Sequence, residues 1–199
     1  MRILVIGGSG TIGHAVVTEL SQRHEVVTAG RTHGDFKVDI MDNQSIDTMY
    51  KQAGKLDAVI STTGNVHFGL LSEMTEKEYS VGLKSKLMGQ VNLVLLGLKY
   101  INDHASFTLT SGILNRDPIL YGSSAAMING ALDGFVKSAA LEMPRNIRIN
   151  IVSPTILAES MDQYADYFRG FNPVQASKVA LAYSKSVEGK QTGQVYNVE

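Results

Sequence analysis

The chain has 199 residues, 44% of them hydrophobic, with 18 Lys and Arg set against 19 Asp and Glu for a formal net charge of −1. That length supports a well-buried core in one domain, residues 1–199, and so balanced a charge gives no field to draw the protein to nucleic acid or to a membrane surface. Cysteine is absent, which excludes disulfides, thiolate metal sites and cysteine nucleophiles and accords with a reducing, cytoplasmic setting. The five histidines show no metal-ligand spacing, so no metal site is expected. The chain opens without the basic, apolar and cleavage regions of a signal peptide, and no apolar run approaches the ~18 residues of a membrane span.

The β-favouring run Arg2-Ile3-Leu4-Val5-Ile6 breaks into Gly7-Gly8-Ser9-Gly10-Thr11-Ile12-Gly13 and resumes as the helix-like His14–Leu20. Strand, glycine turn and helix start together make a phosphate cradle. Glycine admits φ > 0 and close approach of a pyrophosphate, and the helix N-terminus presents free N–H groups and a positive dipole end. Glycines 7, 10 and 13 follow a G-x-x-G-x-x-G spacing, a variant of the dinucleotide fingerprint. Glu25–Gly30 predicts a second strand, Phe36–Ile40 a short third, and Asp42 or Asn43 caps a helix to about Ala53. Asp57–Ile60 is a fourth strand, opening into Ser61-Thr62-Thr63-Gly64. A long helical region covers roughly Thr75–Tyr100, interrupted by Gly82, Gly89 and Gly97. Ser106–Thr110 forms a fifth strand, a second long helix runs from Gly122 or Ser123 to Glu142, and Ile147–Val152 forms a sixth strand stopped at Ser153-Pro154. A helix near Pro173–Ser186 and a strand over Gln194–Val198 end the chain. Strands alternating with helices predict an α/β, doubly wound parallel sheet of about seven strands, with helices on both faces and the ligand crevice at the strands' C-terminal ends.

The sequence resembles the short-chain dehydrogenase/reductase family over nearly its whole length. The resemblance rests on Gly7–Gly13, Ala29-Gly30-Arg31-Thr32, Val38-Asp39-Ile40, Ser61–Gly64, Asn150–Thr155 and the ending Thr192–Val198. It implies a dinucleotide site at Gly7, Ser9, Gly10, Thr11, Ile12, Gly13, Arg31, Thr32, Asp39, Ile40, Ser61, Thr62, Gly64, Pro154 and Thr155. An arginine after the second strand accommodates a ribose 2′-phosphate where an acidic residue would hold the 2′-hydroxyl. Arg31, with Thr32 beside it, therefore favours NADP(H) over NAD(H), the alternative being a solvated surface arginine. By the same resemblance Asp39 meets the adenine amine and Ile40 lies near the ring, although Asp39 also reads as a turn residue.

The family's chemistry uses a tyrosine and a lysine four residues on, helped by a serine and an asparagine. Four residues after Tyr121 stands Ala125. Counting back from Gly134–Glu142, which resembles the usual continuation, puts Ala125 at the tyrosine position and Asn129 at the lysine position, with Gly112 at the serine position just after Ser111. The family's asparagine falls at about Lys86, and in the family the asparagine and lysine approach one polar pocket, so the resemblance implies an exchange in which Lys86 restores the charge and Asn129 the hydrogen bonding. Against this stands the ordinary fate of a lysine, an exposed helix position. Tyr121 either swings inward as an acid or packs on the lid, Ser111 either bonds a substrate carbonyl or caps its strand, and His67 lies just past the cofactor loop. Between Pro154 and Val174 the lid is short for the family, and Tyr164, Tyr167, Phe168 and Phe171 either line a small pocket or pack on the body or a neighbouring subunit.

These readings lead first to an NADP(H)-dependent oxidoreductase of a small carbonyl or alcohol with a non-standard proton donor. The second reading is a non-catalytic NADP(H)-binding sensor, and a third is non-redox chemistry on the bound nucleotide. The expected partners are the cofactor, a small substrate and, by analogy with the family, further copies of the chain in a homodimer or homotetramer.

Overall fold

A computed structural model describes residues 1–199. Seven parallel strands form one sheet in the order β3-β2-β1-β4-β5-β6-β7. The strands are β1 (Arg2–Ile6), β2 (Glu25–Gly30), β3 (Phe36–Lys37), β4 (Leu56–Ser61), β5 (Ile101–Thr110), β6 (Arg148–Pro154) and β7 (Val195–Val198). The helices are α1 (Thr11–Leu20), α2 (Asn43–Ala53), α3 (Glu76–Gly82), α4 (Gly89–Gly97), α5 (Ser123–Ala139), α6 (Met161–Tyr164) and α7 (Ala176–Glu188). None is long and apolar enough to cross a membrane.

Alternation along each strand divides the core, since successive strand side chains point to opposite faces. Ile3 and Val5 of β1 pack with Val16 and Leu20 of α1 and Val179, Tyr183 and Val187 of α7. Leu4 and Ile6 pack on the other face with Ile46 and Tyr50 of α2, Leu93 of α4 and Ile128, Leu132 and Val136 of α5. A buried polar layer crosses the first face. There the Tyr183 hydroxyl lies 2.5 Å from Thr110 Oγ1, which donates to the Ser61 carbonyl at 2.5 Å. Burial pushes the Tyr183 hydroxyl above the ordinary phenol value, so it stays protonated as a donor. Tyr183→Phe is expected to cost about 1 kcal/mol in urea unfolding, the net worth of one hydrogen bond.

β6 runs on through Ser153 and Pro154, which were expected to stop it, and α5 ends at Ala139, short of Glu142. Three elements differ further from the sequence expectation. The third strand is Phe36–Lys37 only; Val38 and Ile40 are buried, but Asp39 bends the chain by accepting from Met41 N–H at 2.9 Å. The fifth strand starts at Ile101, because a register shift against β4 between Leu56 and Ala58 absorbs the polar Asn102-Asp103-His104, with His104 at φ 61°. The long helix over 75–100 is three segments, α3 and α4 joined by a π-helical stretch, Leu83–Met88. The glycines that interrupted its pattern mark the segment ends: Gly82 closes α3, and Gly89 and Gly97 bound α4.

Candidate functional site

The strand order reverses between β1 and β4, and the crevice of a doubly wound sheet opens there. A cleft of about 390 Å³ occupies that point, lined by the β1 turn (Gly7, Ser9, Gly10), the β2 end (Gly30, Arg31, Thr32), Val38–Met41, and Thr62–Asn65 after β4. Gly7 turns the chain at φ 88°, and Thr62 pins the turn by donating from N to the Ile6 carbonyl at 2.9 Å and from Oγ1 to the Gly7 carbonyl at 3.2 Å. Asp42 and Thr75 side chains cap α2 and α3, whereas Gly10 caps α1 with no side-chain bond. The first N–H groups of α1 are thus left for an anion, and this end of the cleft fits a dinucleotide pyrophosphate.

At the other end Arg31 is exposed and enters no ion pair. The nearest acidic residue of its loop, Asp35, folds back to accept from Thr28 N at 2.8 Å and Thr28 Oγ1 at 2.9 Å; the backbone bond foremost holds its carboxyl below the usual range. Asp39 spends Oδ1 on its turn, and Ile40 lies buried on the cleft wall, in the helix-side core.

Several expected cofactor residues turn their side chains away from the cleft, the backbone N–H groups of Thr11, Ile12 and Gly13 remaining at its phosphate end. Ser61 is fully buried with its carbonyl taken by Thr110, so its side chain does not line the cleft. Thr11 lines a separate groove with Ser177 of α7, Ile12 packs into the α1–α7 core, and Gly13 is buried against the turn. Pro154 and Thr155 lie buried at the end of β6, where Thr155 N–H donates to the Val198 carbonyl at 2.9 Å, away from the cleft lining.

The π-helical stretch carries the polar centre. Such insertions turn out side chains that an α-helix would keep on another face, and they recur at functional sites. Here Ser85 Oγ accepts from Asn65 N at 3.0 Å, tying the stretch to the β4 loop. Lys86 donates to Asn129 Oδ1 at 2.8 Å and to the Ser111 carbonyl at 3.0 Å. Lys86 is half-buried as a residue, but both partners are almost fully enclosed, Asn129 at 2% and Ser111 at 4% exposure. Burial pushes its ammonium down to about 8, with the Asp133 carboxylate pulling the other way. Two of its three N–H bonds are used, and the third has no partner within the protein.

Gly64, at φ 125°, seats the cofactor loop directly on Lys86: a Cβ there would lie 2.6 Å from Lys86 Cα. Its role is therefore to bring the cleft and the lysine together as well as to border the cleft. Gln90, which no sequence signal marked, secures the same corner. Its Nε2 donates to the Lys86 carbonyl at 3.1 Å and the Thr110 carbonyl at 2.9 Å, and its Oε1 accepts from Thr110 N at 2.9 Å. Asp133, one turn beyond Asn129, accepts from Asn115 Nδ2 at 2.7 Å and was likewise unmarked. Ser111 Oγ is buried with no hydrogen-bond partner.

Tyr121 does not join this centre. Its backbone sits at φ 67°, and its ring meets Tyr167 edge-on at 6.0 Å on the wall of an apolar cavity of about 540 Å³. Tyr164 and Phe168 line the same cavity, while Phe171 packs edge-on against Phe168 at 5.1 Å. Ala125 is buried in the apolar cluster with Ile113, Leu114 and Phe168, and His67 is exposed.

This strand order, with a glycine turn and an uncapped helix at the switch point, defines a doubly wound α/β protein of the dinucleotide-fold class. A family model described as enoyl-(acyl carrier protein) reductase matches residues 11–196. The chain belongs to the short-chain dehydrogenase/reductase family. It is 28% identical over 183 residues to a short-chain dehydrogenase/reductase of Stachybotrys chlorohalonatus, covering 76% of this chain and 72% of that protein. A tropinone reductase homolog of Datura stramonium is 28% identical over 183 residues, covering 79% and 68% respectively. Among solved structures, the protein lin1944 of Listeria innocua is 55% identical with a TM-score of 0.99 over 100% of both chains. A small-chain dehydrogenase in complex with NADPH is 26% identical with a TM-score of 0.88, over 100% of this chain and 96% of that one.

Proposed function

We propose that this protein is an NADPH-dependent oxidoreductase of a small carbonyl or alcohol, with Lys86, held by Asn129 and Ser111, acting where family members use tyrosine and lysine. The observation that carries the reading is the Lys86 ammonium, seated between the cofactor loop and the end of β5 with one N–H unused. The glycine turn, Arg31 and the loop Thr62–Asn65 would hold the dinucleotide, which when bound would supply or receive the hydride at the carbonyl carbon. Lys86 hydrogen-bonds the carbonyl oxygen and delivers its proton as that oxygen gains charge, so hydride and proton together make the alcohol. An ammonium near 8 suits this role, because a donor close to the working pH transfers in either direction at small cost. Asn129 Oδ1 and the Ser111 carbonyl orient the ammonium for this transfer.

Preference for NADPH follows from Arg31, free of ion pairs at the cleft mouth, with Asp35 turned away onto Thr28. In the family neighbour solved with NADPH the same cofactor is bound. Titration with NADPH and NADH followed by a carbonyl panel tests the proposal. Arg31→Ala is expected to weaken NADPH about ten- to a hundredfold, the worth of a charge-assisted bond, and to leave NADH unchanged.

The second reading is a non-catalytic NADPH sensor. It is favoured by Ala125, a buried apolar residue at the position that resembles the catalytic tyrosine's. NADPH binding without turnover on the panel would select it. Self-association belongs to the same proposal: Leu95 on α4 and Met127 on α5 are 53% and 43% exposed on the helices through which family members associate, and sedimentation reports it.

A further inference from the structure

An apolar cavity lies among the loops after β4, β5 and β6. Phe68 from the loop after β4, Ile119 and Tyr121 from the loop after β5, and Ile156, Tyr164 and Tyr167 after β6 form its walls. No Asp, Glu, Lys, Arg or His lines it; beyond the tyrosine hydroxyls its polar group is the Gln163 amide. Its volume of about 540 Å³ lies in the range of small-ligand pockets. Phe68 and Tyr167 are 46% and 49% exposed, so the aromatic lining is open to solvent at the rim.

The walls are held in place. Tyr121 is a bulky residue at φ 67°, a conformation that persists only where its surroundings over-determine it. Its carbonyl accepts from Gly69 N at 3.2 Å, and its ring stands at 70° to that of Tyr167. One wall residue, Phe168, also belongs to the buried apolar cluster with Ile113, Leu114 and Ala125, against which Ile119 and Ile156 of the walls pack.

From this lining we infer that the substrate is a neutral aryl ketone or aldehyde, and that carboxylate-bearing carbonyl compounds are rejected. The inference rests on the reductase reading for what happens to the carbonyl, though not for what the cavity binds. Aromatic walls favour an aromatic guest through edge-to-face contact. A carboxylate brought into the same space loses its hydration and meets no cation.

Acetophenone and benzoylformate are matched probes, sharing the aryl ketone and differing by a carboxylate. Each is titrated into the full chain, with and without NADPH, reading the tyrosine ring resonances and the heat of binding. Acetophenone is expected to shift the Tyr121 and Tyr167 signals saturably, and benzoylformate to bind at least about tenfold more weakly, the least that one uncompensated charge should cost. Gln163→Arg, an exposed position that leaves the core intact, is expected to narrow or reverse that ratio. Equal or tighter binding of benzoylformate, no saturable acetophenone binding, or ring signals that move only with protein concentration, as a second copy covering the cavity would cause, each overturns the inference. Acetophenone binding in a protein that ignores NADPH would uphold the cavity's specificity and defeat the reductase reading. NADPH binding with neither ketone bound would do the reverse.

Discussion

Lys86→Met is expected to lower carbonyl turnover by roughly 10²–10⁴-fold, the usual contribution of a positioned general acid, while NADPH still binds. Methionine keeps much of the stem's length and removes the ammonium that joins Asn129 Oδ1 at 2.8 Å to the Ser111 carbonyl at 3.0 Å. Lys86→Arg separates charge from proton transfer, since a guanidinium stays charged but does not release its proton near neutrality. If the arginine variant reduces substrate as fast as the parent, proton donation by Lys86 is wrong. The pH dependence has a definite sign. Reduction needs the ammonium, so its rate should fall as pH rises through about 8. Stability should move the opposite way. The folded value of about 8 lies below the ordinary 10.5, so between these the unfolded chain holds the extra proton and stability gains with rising pH. That gain should be missing from denaturation curves of Lys86→Met.

Gly13→Ala is expected to remove nucleotide binding and much of the stability together. A Cβ at position 13 would stand 2.0 Å from the Gly7 carbonyl oxygen, 2.7 Å from the Gly7 carbonyl carbon and 2.8 Å from Gly8 Cα. All three are backbone atoms of the turn, so the overlap is relieved only by lifting α1 away from β1. A loss of about 3 kcal/mol is expected, with a fall in Tm of roughly 6–12 °C for a chain of this size. Gly10→Ala is the control. Its Cβ would approach nothing closer than 3.5 Å and its φ of −78° suits alanine, so the fold should survive, while the new methyl group borders the cleft at the turn. Weakened NADPH binding with an unchanged Tm would separate the two roles of the glycine turn; full binding by Gly10→Ala would mean that no phosphate approaches there.

The Lys86–Asn129 pairing shows how far the primary structure reaches. An exchange of lysine and asparagine between two positions is visible by counting along the resembled motifs, because the count follows chain positions and not side-chain directions. Whether the lysine then turns inward is another matter. The segment over 75–100 has the same apolar periodicity whether it is continuous α-helix or carries a π stretch, since one extra residue per turn rotates side chains without changing the composition of the pattern. Gln90 was invisible for the same reason, being a polar residue in a helix whose partner, Thr110, lies twenty positions away on β5.

The phosphate turn, the alternation of strands with helices and the parallel sheet were determined by the sequence alone, because each follows from local chemistry: glycine where φ is positive or contact is close, and apolar residues at period 2 or 3.6. The tertiary structure alone decided that Ser61, Pro154 and Thr155 are buried and that Tyr121 turns to the lid. It alone built the neutral aromatic cavity, whose walls come from the loops after three different strands. The reason is physical: a site's polarity is the sum of side chains brought together across the sheet, and no single stretch of chain carries that sum.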